Sequence, residues 1–349
     1  MVDIFDRIIS FSELYKGLRK SAKGVGWKDS VAAYTMDGLR NTMKLHNALE
    51  DGSYRISEYQ RFTIHEPKER EIVATRIRDR QFQRSLCDNA LTSMVTRSFI
   101  YDNGACLKDK GVDFALDRLD THLHRYYRKH GPDGWVLRCD IRHFFPETPH
   151  DVAKAAIRKR VQNDKVYQAA ADIIDSFGGD RGIGLGSQVS QLTELAVLDD
   201  LDHWIKERMR IKHYIRYMDD FILIHHDRDV LDECLKGIRE RVQALGLELN
   251  QKTQIFPLRH GVRFLQWRFI LTGTGKVIRR ANRRTVVRER RRLKKIVDKV
   301  SRGEMPLRKL DESFTSWRGH IRRGNTYKIE QDMTDLYRRL RDEVNNNDD

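Results

Sequence analysis

Three aspartates carry the chemistry that this sequence offers. Asp219 and Asp220 stand side by side inside Tyr214-Ile215-Arg216-Tyr217-Met218-Asp219-Asp220-Phe221-Ile222-Leu223-Ile224, an apolar and aromatic run. Such a run reads as two short strands, and the acids then fall at the tight turn between them. Buried strands rarely hold two adjacent acids, because unpaired buried charge is expensive. A divalent cation would relieve that cost, although a plain hairpin with an Asp-rich tip accounts equally well for the pair taken alone. A third acid, Asp140, closes another strand-like run at 134–141. Three carboxylates at one edge of an antiparallel sheet make a hard-oxygen site suited to Mg²⁺. Two such ions about 3.5–4 Å apart can activate a 3′-hydroxyl and stabilise a leaving pyrophosphate. That chemistry rests on positioning and electrostatics and needs no general-base histidine.

The elements that must position these acids follow from periodicity and breakers. Residues 1–55 read as helical, with a helix over 30–49 closed by Asp51-Gly52. Strand-like pieces at 59–65 and 71–75 flank Glu66-Pro67-Lys68-Glu69-Arg70, a basic hairpin or loop. Helices are expected over 79–95 and 112–127, with a loop at 101–111 between them. After the Asp140 strand come Phe144-Phe145-Pro146, two helices at 151–161 and 164–177, and a glycine-rich loop at 178–187. An amphipathic helix over 188–209 leads to the Asp-Asp hairpin. A helix with Leu231, Leu235, Ile238, Val242 and Leu245 on one face follows, then strands around 247–250 and 261–271. Composition shifts after Thr272-Gly273-Thr274-Gly275. Residues 276–302 hold thirteen Lys or Arg against Glu289 and Asp298, yet Val286, Val287, Leu293, Ile296 and Val300 still mark a helix. The chain is helical to about residue 344, and its polar end reads as disordered.

Composition narrows the partners. The 349 residues are 39% hydrophobic and 34% charged, which describes a charge-rich globular protein. A net charge of +15 favours a polyanion, most simply nucleic acid. The first residues carry acids and no apolar core, so no signal peptide is expected, and no run approaches the roughly 20 apolar residues of a membrane span. Cys87, Cys106, Cys139 and Cys234 are far apart, which favours free thiols in a reducing cytoplasm. His225-His226-Asp227 lacks distant partners and is a weak metal candidate.

With these residues in view, the chain resembles bacterial reverse transcriptases over roughly residues 45–325. The family's Tyr-x-Asp-Asp motif stands as Tyr217-Met218-Asp219-Asp220, and its first catalytic aspartate as Asp140, followed by Phe144-Phe145. The fingers motif is similar to Pro67-Lys68-x-Arg70 with Asp79-Arg80 downstream, the lysine after the palm helix to Lys252, and the primer-grip hairpin to Phe264-Leu265-Gln266-Trp267. The resemblance implies an α+β right-hand polymerase: an N-terminal helical extension at 1–55, fingers at 56–133, a palm at 134–272 with finger helices inserted at about 150–180, a helical basic thumb at 273–345 and a tail at 346–349. It implies an RNA-directed DNA polymerase with catalytic Asp140, Asp219 and Asp220, and two Mg²⁺ ions, replaceable by Mn²⁺, held by these acids and the Ile141 carbonyl. Lys68 and Arg70 would grip the incoming triphosphate, Arg70 in bidentate fashion. Phe145 would be a steric gate against a 2′-hydroxyl, and Leu185, Gly186, Gln191 and Lys252 would line the nucleotide site. Tyr217, Met218, Leu265, Gln266 and Trp267 would meet the primer or template. Arg283, Arg284, Arg291 and Lys294 would lie along its backbone, through contacts that weaken with salt. Trp317 is expected in the helix-bundle core.

The glycine loop narrows the resemblance. Many reverse transcriptases carry Gln-Gly-x-x-x-Ser-Pro there, whereas this chain has Leu185-Gly186-Ser187-Gln188-Val189-Ser190-Gln191. That variant is similar to reverse transcriptases of diversity-generating retroelements, as are Ser316-Trp317-Arg318-Gly319-His320 and Gly324-Asn325-Thr326-Tyr327 in the thumb. In that family the variant accompanies error-prone copying of template adenines. Defence-associated reverse transcriptases, which copy a dedicated non-coding RNA during phage infection, share most of these motifs. The expected partners are an RNA template, a DNA or RNA primer, deoxynucleoside triphosphates, a structured non-coding RNA and a small accessory protein, in a bacterial or phage-encoded cytoplasmic setting. A non-catalytic nucleic-acid-binding protein would explain the charge but leave the three acids without a purpose. A template-indifferent polymerase and a maturase-like splicing partner are further alternatives.

Overall fold

The computed structural model describes residues 3–65 and 69–345. Four helices open the chain: α1 (Ile4–Ile9), α2 (Phe11–Ala22), α3 (Asp29–Met36) and α4 (Gly38–Glu50). Strands β1 (Gln60–Ile64) and β2 (Arg70–Ala74) form an antiparallel hairpin, and α5 (Ile77–Leu86) runs through a π turn at Cys87–Leu91 into α6 (Thr92–Thr96). Helix α7 (Val112–His130) precedes β3 (Trp135–Asp140). Then come α8 (Phe144–Glu147), α9 (His150–Arg158), α10 (Asp164–Asp175), α11 (Gln188–Val197) and α12 (Asp199–His203), which ends in a π turn at Trp204–Arg208. Strands β4 (His213–Tyr217) and β5 (Asp220–His225), helix α13 (Arg228–Ala244) and β6 (Gln254–Pro257) follow. A three-stranded meander of β7 (Val262–Phe264), β8 (Trp267–Leu271) and β9 (Val277–Ala281) leads to α14 (Arg283–Ser301), α15 (Arg308–Ile321) and α16 (Tyr327–Asn345).

The central sheet has the order β4-β5-β3-β6, all antiparallel, and its alternation divides the core in two. Leu137, Cys139, Tyr214, Phe221 and Leu223 face α11, α12 and α13. Val136, Ile215, Ile222 and Ile224 face the other way, into a core shared with α7, the meander and the last three helices. A third cluster joins α1, α4, α5, α9, α10 and α11, so the N-terminal helices are packed onto the body of the chain. The free edge of β4 is covered by the 99–111 loop: the Arg216 amide donates to the Asp102 carbonyl, and the Gly104 amide to the Arg216 carbonyl. Arg118, Lys206 and His122 all converge on the buried Asp102 carboxylate, which anchors that loop and holds its pKa well below the carboxylate range despite burial.

The structure departs from the sequence-based expectations at particular breakers. The helix expected over 30–49 is two helices, because the chain turns at Asp37 (φ −99°, ψ 32°), where Gly38 packs against Leu18. The helix expected over 188–209 likewise breaks at Leu198 (φ −96°, ψ 2°). The strand expected at 247–250 shrinks to one bridge between Leu249 and Ile141. The Asn250 side chain and carbonyl instead turn the chain at Lys252 and Thr253, and the strand that pairs with β3 is β6. The run at 261–271 folds back on itself at Leu265-Gln266. The basic stretch at 276–302 begins as β9, hydrogen-bonded to β8, and becomes a helix only at Arg283, after Asn282 caps the Arg284 amide. Its charge run hides the strand alternation that Val277 and the β8 pairing reveal.

At the base of β4 the His213 ring meets His122 and Tyr126 edge-on, at 5.6 and 5.5 Å between ring centres. Burial, with His122, His130, Lys206 and Arg125 nearby, pulls its pKa from 6.5 down to about 4. The unfolded chain therefore binds a proton that the folded chain refuses between those values, so this contribution to stability is complete above pH 6.5 and is lost as pH falls toward 4. Melting temperatures measured from pH 7 down to about 4.5 are expected to fall more steeply for the wild type than for His213→Phe.

Candidate active site

The site is built on the ends of β3, β4 and β5. In the strand register Asp140 lies directly opposite Asp220, and Tyr217 pairs with Asp220 across a two-residue loop of Met218 and Asp219. Met218 takes a φ of +55°, a left-handed conformation unusual for its side chain. Two hydrogen bonds fix that loop. The Ile141 amide donates to the Asp219 carbonyl at 3.2 Å, which ties the ends of β3 and the hairpin together. From beneath, Arg216 Nη1 donates to the Met218 carbonyl at 3.1 Å. Arg216 is fully buried, as is its ion-pair partner Asp202 on α12, and Tyr214 donates its hydroxyl to the same carboxylate. Sequence reasoning passed over Arg216 and Asp202; the only trace was a charged residue alternating with apolar ones in a buried strand.

Electrostatics confirm that the acids crowd one another. Burial raises the Asp220 pKa, the Arg138 guanidinium opposes that, and Asp140 and Asp219 add to it, with the result at about 6. Arg138 lies two residues before Asp140 on the same face of β3 and donates from Nε and Nη2 to the two Asp220 oxygens, each at 3.3 Å. Glu194 on α11 is completely buried, accepts from Thr148 at 3.0 Å, and is held well above the carboxylate range by burial and by Asp219. This buried acid is another residue the sequence did not single out. Among the described residues, no three His, Cys, Asp or Glu side chains converge closely enough to hold an ion as they stand. The donor chemistry is still that of a hard divalent cation: carboxylates from opposed strand ends, with Arg138 as a counter-ion on Asp220.

The remaining expected residues distribute as follows. Lys68 lies outside the described residues, and Arg70 begins β2. Phe145 is half-buried beside Phe144, and its carbonyl accepts the Ile183 amide, so α8 and the glycine loop are joined. At the two ends of that loop, Tyr59 stacks on Phe177 at 4.8 Å, and Ser187 donates to Gln83 of α5 at 3.0 Å while capping α11. Gly184 could not be larger, since a Cβ there would lie 2.4 Å from the Phe177 ring. Leu185 and Gln191 are half-buried and Gly186 is exposed, at φ +115°. Lys252 is exposed just past the Asn250 turn. Leu265 and Gln266 form the β7–β8 turn with φ values of +46° and +70°, the pattern of a type I′ turn without its usual Asn-Gly. Trp267 is a correction: only 1% exposed and packed in the core against His320, it supports this hairpin from within and has no face for a nucleic acid. Arg283, Arg284, Arg291 and Lys294 are all exposed on α14, while Val286, Leu293 and Val297 bury its other side. Trp317 is in the core, as expected, and not set out to stack on nucleic acid.

Carboxylates at the ends of antiparallel strands fit the family that the sequence matches. The sequence profile described as "Reverse transcriptase (RNA-dependent DNA polymerase)" matches residues 65–269. The chain belongs to the reverse transcriptase family. No curated protein sequence matches it. Among solved structures it is similar to apo telomerase from Candida tropicalis truncated from its C-terminal domain (12% identity, TM-score 0.49, covering 70% of this chain and 60% of that one). It is also similar to telomerase from Candida albicans in complex with a fragment of telomeric RNA (10% identity, TM-score 0.48, 88% of this chain and 65% of that one). The chain thus spans less than two thirds of either telomerase, and its family membership rests on the sequence match.

Removing one member of the Arg216–Asp202 pair leaves a buried charge without its partner, which typically costs about 3–5 kcal/mol. Asp202→Asn is therefore expected to lose stability on that scale in denaturant unfolding, whereas Arg216→Met combined with Asp202→Leu should recover most of it while leaving the Met218 carbonyl without its donor.

Proposed function

We propose that this chain is an RNA-directed DNA polymerase that extends a primer by two-metal phosphoryl transfer. The observation that carries the reading is the pairing of Asp140 with Asp220 at the open ends of β3 and β5, with Asp219 tied to the same corner through the Ile141 amide. Asp140, Asp219 and the Ile141 carbonyl would hold the divalent ions, with Asp220 completing the acidic cluster. When bound, such ions polarise the reacting phosphoryl oxygens and the primer hydroxyl. The protein's own part is positional. Arg216 and the Ile141 amide fix the turn from two sides, and burial of Tyr214, Phe221 and Leu223 against the helices keeps the strand ends rigid. Phe145, anchored through Ile183, would sit under the sugar as the gate against ribonucleotides, and Arg70 with Lys68 would grip the triphosphate. Leu265 and Gln266 would support the primer end, and Arg283, Arg284, Arg291 and Lys294 would follow the duplex backbone.

The biological setting we favour is a diversity-generating retroelement, with low fidelity at template adenines, because Leu185 in place of the usual Gln removes an amide donor beside the templating pair, and Gln191 replaces the usual Pro. The same variant loop is shared by defence-associated enzymes. A template repeat and a variable repeat beside the gene favour the first setting, and a structured RNA gene in a defence island the second.

With primed RNA, deoxynucleotides and Mg²⁺, incorporation is expected in the wild type and a loss of at least about 10²–10³-fold in Asp140→Asn and Asp219→Asn, the scale on which preorganised electrostatic groups act. Absence of activity in the wild type, or its persistence in both variants, rejects the enzyme. Sequenced cDNA from a defined template is expected to show more errors opposite adenines than opposite other bases; equal rates remove the low-fidelity reading.

A further inference from the structure

We infer that Arg138 is a built-in counter-ion that occupies Asp220 when no divalent ion is bound and is displaced from it when the site loads. The inference rests on the metal-binding reading of the three aspartates and concerns a residue outside that set. Two Arg–Asp pairs flank the same sheet, and they differ in kind. Arg216–Asp202 is wholly buried, with Nε at 2.8 and 3.0 Å from the carboxylate oxygens, further held by Tyr214 and by backbone carbonyls. Arg138–Asp220 is a two-point fork with both contacts at 3.3 Å, longer than the roughly 2.7–2.9 Å of a well-formed charge-assisted bond. Its side chains keep 30% and 17% of their exposure. The first is a permanent strut; the second is loose and open enough to exchange.

The surroundings explain why Arg138 serves only this carboxylate. On its face of the sheet, Val136, Ile222 and Ile224 lie in the apolar core on one side, and Asp140 and Asp220 lie on the other. Among the described residues both of its side-chain hydrogen bonds go to Asp220. A divalent cation would compete with Arg138 for the Asp220 oxygens. Arg138 thereby raises the cation concentration at which the corner fills.

The test titrates Mn²⁺ alone into full-length protein, reading free Mn²⁺ by its paramagnetic resonance signal, with melting temperatures recorded with and without the ion. Arg138→Gln is expected to bind Mn²⁺ roughly five- to tenfold more tightly than the wild type, about 1–1.4 kcal/mol. It should melt lower without metal and gain more from metal. Arg138→Lys keeps the charge but loses the fork, so it should fall between the two, and it carries the test if the glutamine variant does not fold. Unchanged or weaker Mn²⁺ binding in these variants, with an equal drop in melting temperature with and without metal, makes Arg138 a structural residue and overturns the inference. Asp219→Asn separates the two levels: if Mn²⁺ binding to the wild type is indifferent to that change, the metal reading itself is at fault and the inference falls with it.

Discussion

The register between β3 and β5 is the constraint on which the rest of this structure depends. Sheet alternation has a period of two, so sliding one strand by one residue would exchange its two faces. Here that exchange is forbidden twice over. Leu137, Cys139, Phe221 and Leu223 must meet the helices on one side, and Val136, Ile222 and Ile224 must meet the core shared with α7 and the meander on the other. With both faces buried, no slip is tolerated, and Asp140 is held opposite Asp220 although the two carboxylates repel. The apolar cores thus spend part of their stabilisation on holding together charges that would otherwise separate.

That stored repulsion is managed from two directions. Below the sheet, the Arg216–Asp202 pair is desolvated and immobile, and it gives the Met218–Asp219 turn a fixed floor. Above it, Arg138 neutralises part of the exposed corner without closing it. Buried ion pairs seldom add much net stability, but they are costly to break, so they specify geometry well. Buried Glu194 fits the same logic: burial, with Asp219 nearby, pushes its pKa up.

Backbone strain marks both hairpin turns, as it does Cys106, Asp109, His143 and Arg210 elsewhere in the described residues. Met218, Leu265 and Gln266 all hold positive φ without being glycine. Each is compensated by its surroundings: Met218 by the Arg216 hydrogen bond, and the Leu265-Gln266 turn by Phe264 and Trp267 buried on its two strands. Strain of this kind persists only where the neighbouring structure over-determines it.

Much of this was legible in the residues themselves. The alternation around Asp219-Asp220 and the strand ending at Asp140 predict the strands that carry the acids, because strand periodicity and turn chemistry are local properties. The basic stripe of α14 was legible for the same reason, as was the hairpin at 60–74. What the sequence could not determine was anything fixed by residues distant in the chain. Arg216 looks like a misplaced charge until Asp202 is folded against it. Arg138 looks like a solvated residue until β5 lies alongside. Trp267 looks like a surface aromatic until α15 and Gly324 close over it. The breaks at Asp37 and Leu198, and the strand at β9 hidden in a charge run, were likewise decided by what packs against them. Local pattern determined which chemistry this chain carries; long-range packing alone decided how its charges are partnered, because a buried charge acquires its meaning only from the groups that tertiary structure brings within a few ångströms of it.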